Sequence, residues 1–276
     1  MSPELWGCDF SSAPSRRKPV VLAIGRLDGC VRLERIESFE TLAGFGTRLS
    51  EPGSWVGGFD LPFGLPRELV ETLGWPGDWL ACMRYYAALS RAEIRSAFAA
   101  FCAARPAGGK FAHRATDRPA RSSPSMKWVN PPVAYMMHAG VPLLLDAGVS
   151  LPGQHVADPA RIALEAYPGL LARSVLGARS YKSDDRARQT PERLQARGDL
   201  LRALLAGEVM LLREAGLILE LAPHRQAELL ADASGDRIDA LLCLLQAAWA
   251  LQRQRQGHGN WGLPGFDSLE GWIVSA

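Results

Sequence analysis

Three strand-like segments near the start of the chain constrain its fold more than any other feature. Residues 5–10 form a short apolar run that ends around a carboxylate, Asp9. Residues 19–24 are rich in β-branched side chains, and the Asp28-Gly29 pair that follows is typical of a tight hairpin. Residues 31–36 then alternate apolar and charged side chains, as a strand with one solvated face does. The pattern predicts an antiparallel meander of three strands.

A helix and two further strands are predicted after the meander. Residues 38–49 have apolar side chains at helical spacing, residues 55–60 form an apolar fourth strand, and residues 161–168 form a fifth. We therefore predict an α/β protein with a mixed five-stranded sheet, in the order 3-2-1-4-5, flanked by helices. Residues 65–158 are predicted to be a large helical and loop insertion within a single domain, 1–276.

Composition is that of an ordinary globular protein. Of the 276 residues, 47% are hydrophobic and 22% are charged, and the net charge is +2. No segment reaches the roughly 20 apolar residues that cross a bilayer, and the N-terminus lacks the pattern of a secretory signal. The five cysteines are scattered, without a C-x-x-C pair. We expect a cytoplasmic protein without a membrane partner or a zinc site, with most cysteines in the core.

Four acidic residues are placed where strand ends and a helix would bring them together. Asp9 ends the first strand, Asp60 ends the fourth, and Glu165 lies near the end of the fifth. On the last long helix, Asp239 borders the apolar stripe, whereas Asp236 is expected on the far side. Carboxylates suit Mg²⁺ or Mn²⁺, so we predict that Asp9, Asp60, Glu165 and Asp239 hold the ions of a two-metal phosphodiester hydrolysis.

Each of the four acids, Asp239 included, also has a purely structural interpretation. Asp60 precedes Leu61-Pro62 and could shape that turn. Glu165 could pair with an arginine in the core. Asp9 is harder to explain in this way, because a lone buried carboxylate is costly.

Basic and hydroxyl residues near the acids are predicted to contact phosphates. Lys182 is assigned a catalytic role, because a cation there would neutralise charge that develops on a phosphate. The predicted substrate-binding residues are Ser11 and Ser12 after the first strand, Arg114, Arg118, Arg121 and Lys127 from a basic loop, and Arg186. The alternative for the loop is a solvated surface with scattered ion pairs.

Five segments resemble a known family. These segments are GCDFSSAP, GGFDLPFGLP, LEAYPG, SYKSD and DRIDALLCLLQAAWA. Through them the chain resembles the family called domain of unknown function four-twenty-nine, and the resemblance extends from Gly7 to about Ile273. That family is described as predicted nucleases of ribonuclease H fold. The resemblance implies this fold and a nuclease activity, and the segments that carry it contain Asp9, Asp60, Glu165 and Asp239.

Three functions are open at this point. The leading hypothesis is a metal-dependent nuclease with nucleic acid as its partner. The second is a nucleotide-binding phosphotransferase of the actin and sugar-kinase type, although the glycine-rich phosphate loops of that class are not visible. The third is a non-catalytic binding or regulatory module on the same fold. The sequence leaves the oligomeric state open.

Overall fold

The computed structural model describes residues 2–276 and has an α/β architecture built on one mixed sheet of seven strands. The strands are β1 (Glu4–Asp9), β2 (Val20–Asp28), β3 (Cys30–Phe39), β4 (Trp55–Phe59), β5 (Val149–Ser150), β6 (Asp158–Glu165) and β7 (Leu219–Glu220). Their order across the sheet is β5-β6-β4-β1-β2-β3-β7. Strands β1, β2 and β3 pair antiparallel as a meander, whereas β4 and β6 run parallel to β1.

Helices cover both faces of this sheet. They are α1 (Leu42–Ser50), α2 (Arg67–Thr72), α3 (Trp79–Ala88), α4 (Arg91–Ala103), α5 (Asp117–Ala120), α6 (Val133–Asp146), α7 (Pro168–Leu176), α8 (Pro191–Leu205), α9 (Met210–Glu214), α10 (Pro223–Ala231) and α11 (Asp236–Arg255). Short 3₁₀ turns span Arg186–Arg188 and Asn260–Gly262. Among the helices of residues 2–276, none combines the length and apolar character that a membrane crossing needs.

The predicted five-stranded sheet in the order 3-2-1-4-5 is wrong, because short strands extend the sheet at both edges. Strands β5 and β7 have two residues each, which is too few for an alternation of polar and apolar side chains to be recognised. The meander and its hairpin are confirmed: Gly29 joins β2 to β3 with a φ of 70°, where an L side chain is strained. The predicted burial of the cysteines is also confirmed, since all five are buried and free.

The alternation of side chains along the strands divides the core into two layers. On one face Leu5, Val21 and Val56 pack against α7, α8 and α11. On the other face Trp6, Leu22 and Phe59 pack against α1 and the helices of residues 65–158. The predicted insertion is therefore a layer that closes one face of the sheet. Its helices bury apolar side chains that the strands present with a period of two.

Helix α11 crosses the centre of the sheet at very short range. A Cβ atom on Gly7 would overlap the Ala240 carbonyl oxygen and the Leu244 nitrogen, and one on Gly58 would overlap the Cys243 carbonyl oxygen. Strands β1 and β4 thus carry glycine where the helix backbone lies directly against them. This contact fixes where the first turn of α11 lies relative to the ends of the two strands.

We expect Gly7→Ala to destabilise the protein by about 3 kcal/mol or more, because the new methyl group would push α11 off the sheet. Gly53→Ala is the matched control, since a Cβ there would have nothing within 4 Å. The free energy of unfolding in urea measures both changes. Equal stability of the two variants would contradict the close contact.

Candidate functional site

The carboxylates of Asp9 and Asp60 lie side by side at one end of the sheet. Strands β1 and β4 are parallel with Cys8 opposite Phe59, so the next residues of the two strands, Asp9 and Asp60, are lateral neighbours. The Asp60 amide donates a hydrogen bond of 2.9 Å to the Cys8 carbonyl and continues the ladder to this point. Neighbouring strands are about 4.8 Å apart, which brings the two carboxyl groups close together.

Helix α11 adds two further acids at the same end. Asp239 is completely buried and Asp236 is 6% exposed, both in the first turn. The expectation that Asp236 lies on a solvated far side is wrong. The start of α11 is enclosed on almost every side, so an apolar stripe does not define which face is inside. Asp236 and Asp239 both raise the pKa of Asp9, which places them within electrostatic reach of it.

Tyr181 and Lys182 hold the Asp239 carboxylate. The Tyr181 hydroxyl donates to Oδ1 and the Lys182 ammonium donates to Oδ2. Gly235 precedes α11 with a φ of 81°, and a Cβ there would come within 2.6 Å of the Lys182 Cβ. The glycine allows the chain that carries Lys182 to lie against the start of the helix. Lys182 keeps 43% of its side chain exposed, so its ammonium group reaches both Asp239 and solvent.

Negative charge exceeds positive charge at this site. Burial raises the pKa of Asp9 well above its ordinary value, and Asp239 and Asp236 raise it further against the opposing effect of Lys182. Burial, followed by the charge of Asp239, raises the pKa of Asp60 to about 7. The hydrogen bonds of residues 2–276 include none to the Asp9 or Asp60 carboxylate oxygens. Asp9 is buried and Asp60 is half-buried, and neither carboxylate has a protein donor, an arrangement that favours protonation or a bound cation.

The donor set suits a hard divalent cation, although it is not a finished cage. Carboxylate oxygens are what Mg²⁺ and Mn²⁺ prefer, and Asp9 and Asp60 have oxygens free to coordinate. As positioned, no three His, Cys, Asp or Glu side chains in the described part of the chain surround one point at coordination distance. Both Asp239 oxygens are engaged by Tyr181 and Lys182. An ion could bind Asp9 and Asp60, and Asp239 would join only by releasing Lys182.

The structure corrects the roles assigned to Glu165 and Arg114. The Arg114 guanidinium donates to both carboxylate oxygens of Glu165, at 2.7 and 2.6 Å, and also bonds Asp117. The amide of Phe63 adds a further bond of 2.9 Å to Glu165. Arg114 is 2% exposed, so it is a core residue and not a substrate contact. Both Glu165 oxygens accept charged hydrogen bonds from Arg114, which supports the structural interpretation of Glu165, an arginine partner in the core.

The register of the sheet explains why Glu165 misses the site. Glu165 lies opposite Phe59, not opposite Asp60. A displacement of one residue sends a side chain to the other face of a sheet. Asp9 and Asp60 point to the α11 face, whereas Glu165 points to the face covered by residues 65–158 and meets Arg114 there.

The other predicted substrate-binding residues share no common role in the structure. Ser11 and Ser12 are half-buried in the loop directly after Asp9, and the Ser12 carbonyl accepts a bond of 2.8 Å from Arg91. Arg118, Arg121 and Arg186 are exposed, and Lys127 is half-buried. The basic loop is folded around α5 instead of being open. Nothing in this geometry decides whether these residues meet a substrate, and their assignment stays a prediction.

A cleft of about 220 Å³ opens beside Asp60. Its lining includes Tyr167, Arg173, Arg179 and Lys182. Only Lys182 of these was predicted as a site residue. The basic residues of α7 and the loop after it gave no sequence signal, because an arginine on a helix is ordinarily a solvated surface residue. Lys18, in the loop after β1, pairs with Asp184 at 2.7 Å, and its charge opposes the rise in the pKa of Asp236 and Asp60.

None of the protein-family models, curated proteins or solved structures compared with the chain matches it. The family resemblance stays a prediction, and the functional argument rests on the geometry of the site.

We expect Arg114→Met to cost about 3–5 kcal/mol of stability, because it leaves Glu165 and Asp117 as unpaired buried carboxylates. Arg118→Met, an exposed position in the same segment, should change stability by less than about 0.5 kcal/mol. Urea denaturation of the two variants compares them directly. If Arg114→Met were as stable as its control, the assignment of Glu165 to a structural ion pair would be wrong.

The pKa of Asp60 predicts a stability that falls as the pH rises. Between its unfolded value near 4 and about 7, the folded protein holds a proton on Asp60 that the unfolded chain releases. Stability from this group is thus present at low pH and lost as the pH rises through about 7. Without metal, Asp60→Asn should be more stable than wild type at about pH 8, by about 1 kcal/mol or more, and similar at about pH 4.

Urea unfolding across this pH range in the presence of a chelator tests the expectation. Asp146→Asn is the control, because Asp146 is exposed on α6 and away from the site. Parallel stability profiles for wild type and Asp60→Asn would show that Asp60 titrates normally.

Proposed function

We propose that this chain is a divalent-cation-dependent nuclease that hydrolyses phosphodiester bonds of nucleic acid. The observation that carries the proposal is the convergence of Asp9, Asp60 and Asp239 at one end of the sheet. Two of these carboxylates have no protein partner, and the cations nearby do not balance their charge. A surplus of buried carboxylates is costly for folding, and a site that binds metal ions is a common reason for it.

The connectivity supports a ribonuclease H-like core within this proposal. An antiparallel meander is followed by a helix and by β4, which returns parallel to β1. Strand β6 continues the parallel side, and α11 crosses β1 and β4. The acids then lie at the carboxyl ends of adjacent parallel strands, where α/β sheets form their binding crevices.

The residues of the site have distinct parts in the proposed chemistry. Asp9 and Asp60 would hold Mg²⁺ or Mn²⁺, with Asp239 as a third ligand, and the bound ion would supply an activated water and charge for the leaving oxygen. Tyr181 holds Asp239 Oδ1 in place through its hydroxyl. Lys182 Nζ, which lies on Asp239 and is partly exposed, can turn to a phosphate oxygen and donate a charged hydrogen bond. In the metal-free protein the pKa of Asp60 is about 7, so an ion bound there would displace a proton from its carboxylate near neutral pH.

Metal binding and cleavage by Asp9→Asn test the proposal. Wild type should bind Mn²⁺ and cleave DNA or RNA, in single-stranded or double-stranded form, only when Mg²⁺ or Mn²⁺ is present. Asp9→Asn should weaken Mn²⁺ binding by more than about tenfold and abolish cleavage, because it removes a ligand oxygen. Calorimetric titration measures the binding. Asp146→Asn is the control and should behave as wild type.

Two results would overturn the proposal. One is a wild-type protein that binds no Mn²⁺ at millimolar concentration, which would favour a non-catalytic module. The other is metal-dependent cleavage retained by Asp9→Asn. Loss of fold does not confuse the test, because Asn at position 9 removes a buried charge and we expect the variant to be at least as stable as wild type at neutral pH.

A further inference from the structure

The cleft beside Asp60 has walls that suit an anion. It is bounded by α7 and by the chain from Gly177 to Lys182, and it begins where the acid cluster ends. Its volume of about 220 Å³ is several times the roughly 30 Å³ of one water molecule, which is enough for a phosphate group and part of the attached sugar. Asp60 is the one acidic residue of its lining in the described part of the chain.

Arg173 gives the cleft a positive charge that the protein does not neutralise. Its guanidinium donates to the Tyr167 hydroxyl at 3.0 Å and to the carbonyl oxygens of Ala120 and Arg121 at 2.7 and 3.0 Å. All three acceptors are neutral, and the ion pairs of residues 2–276 include none with Arg173. The group is also held over the Tyr167 ring, 5.1 Å from its centroid. It is a fixed cation without a counter-ion.

Arg179 and Lys182 extend this positive surface toward Asp60. Arg179 pairs with Asp199 at 2.7 Å, but its side chain is 53% exposed and such exposed pairs contribute little. It can therefore exchange Asp199 for a phosphate oxygen at small cost. Arg121 does not line the cleft, but its carbonyl accepts a hydrogen bond from Arg173 and its side chain is exposed. Positive groups thus continue from the acid cluster to the protein surface.

From this arrangement we infer that the cleft binds a backbone phosphate of the nucleic-acid strand, next to the phosphate that is cleaved at Asp9 and Asp60. The inference rests on the proposed function and names the element that positions its substrate. Arg173 and Arg179 contact the neighbouring phosphate, and the nucleic-acid strand then continues past the exposed side chain of Arg121. The contacts are to the backbone, so the cleft confers affinity without a preference for base sequence.

Binding of a short single-stranded oligothymidylate, measured by fluorescence anisotropy, tests the cleft. The titration is made with a chelator present. Arg179→Gln should weaken binding by roughly fivefold and reduce the slope of log affinity against log salt by about 0.7, the value for one lost phosphate contact. An oligothymidylate with uncharged methylphosphonate linkages should bind far more weakly than the natural strand.

The control is Arg202→Gln. Arg202 also pairs with Asp199, at 3.0 Å, and is exposed, but it does not line the cleft. It should leave affinity and salt slope as in wild type. If Arg179→Gln and Arg202→Gln bind alike, or if the methylphosphonate strand binds as well as the natural one, the cleft is not a phosphate site. If Mn²⁺ binding persists in that case, the proposed function stands without the cleft; a wild type that binds no Mn²⁺ would end the proposed function instead.

Discussion

The contact between α11 and the two central strands is the constraint on which the rest of the structure depends. Gly7 and Gly58 have no side chain to hold the helix away, so the backbones of strand and helix meet directly. The same faces of β1 and β4 then continue, two residues later, to Asp9 and Asp60. Asp239 lies one residue before Ala240, the residue whose carbonyl covers Gly7. The packing of α11 on Gly7 and Gly58 in the middle of the sheet therefore determines which carboxylates meet at its end.

Two groups of buried acids show how differently the protein treats negative charge. Glu165 and Asp117 share Arg114, which supplies a charged donor to each, and this group links the inserted helices to β6. The group of Asp9, Asp60, Asp236 and Asp239 receives Lys182 and Lys18, and it remains under-compensated. Both groups are mostly buried, although Asp60 of the second is half-buried and borders the cleft. Only the second leaves carboxylate oxygens without a donor, and this difference separates a structural ion pair from a candidate site.

The sequence carries much of the fold's centre and part of the site. Alternation and the Asp28-Gly29 turn were enough to predict the meander, and strand ends were enough to single out Asp9 and Asp60. Glu165 could not be excluded in this way, because its face depends on the register between β4 and β6, which no local pattern encodes. Asp236 was misplaced because α11 is buried nearly all round. The cleft is formed by α7 and the loop after it, and its arginines could not be predicted as site residues because their role depends on tertiary neighbours.

Lys182 partly compensates the negative charge of this site. Its ammonium lies on Asp239, within electrostatic reach of Asp9 and Asp60, and lowers the pKa of each of these two. Burial still keeps the pKa values of Asp9 and Asp60 above the ordinary range, so protons neutralise these two carboxylates at low pH. Because nearly half of the Lys182 side chain is exposed, the cation is attached from the solvent side and not enclosed in the core.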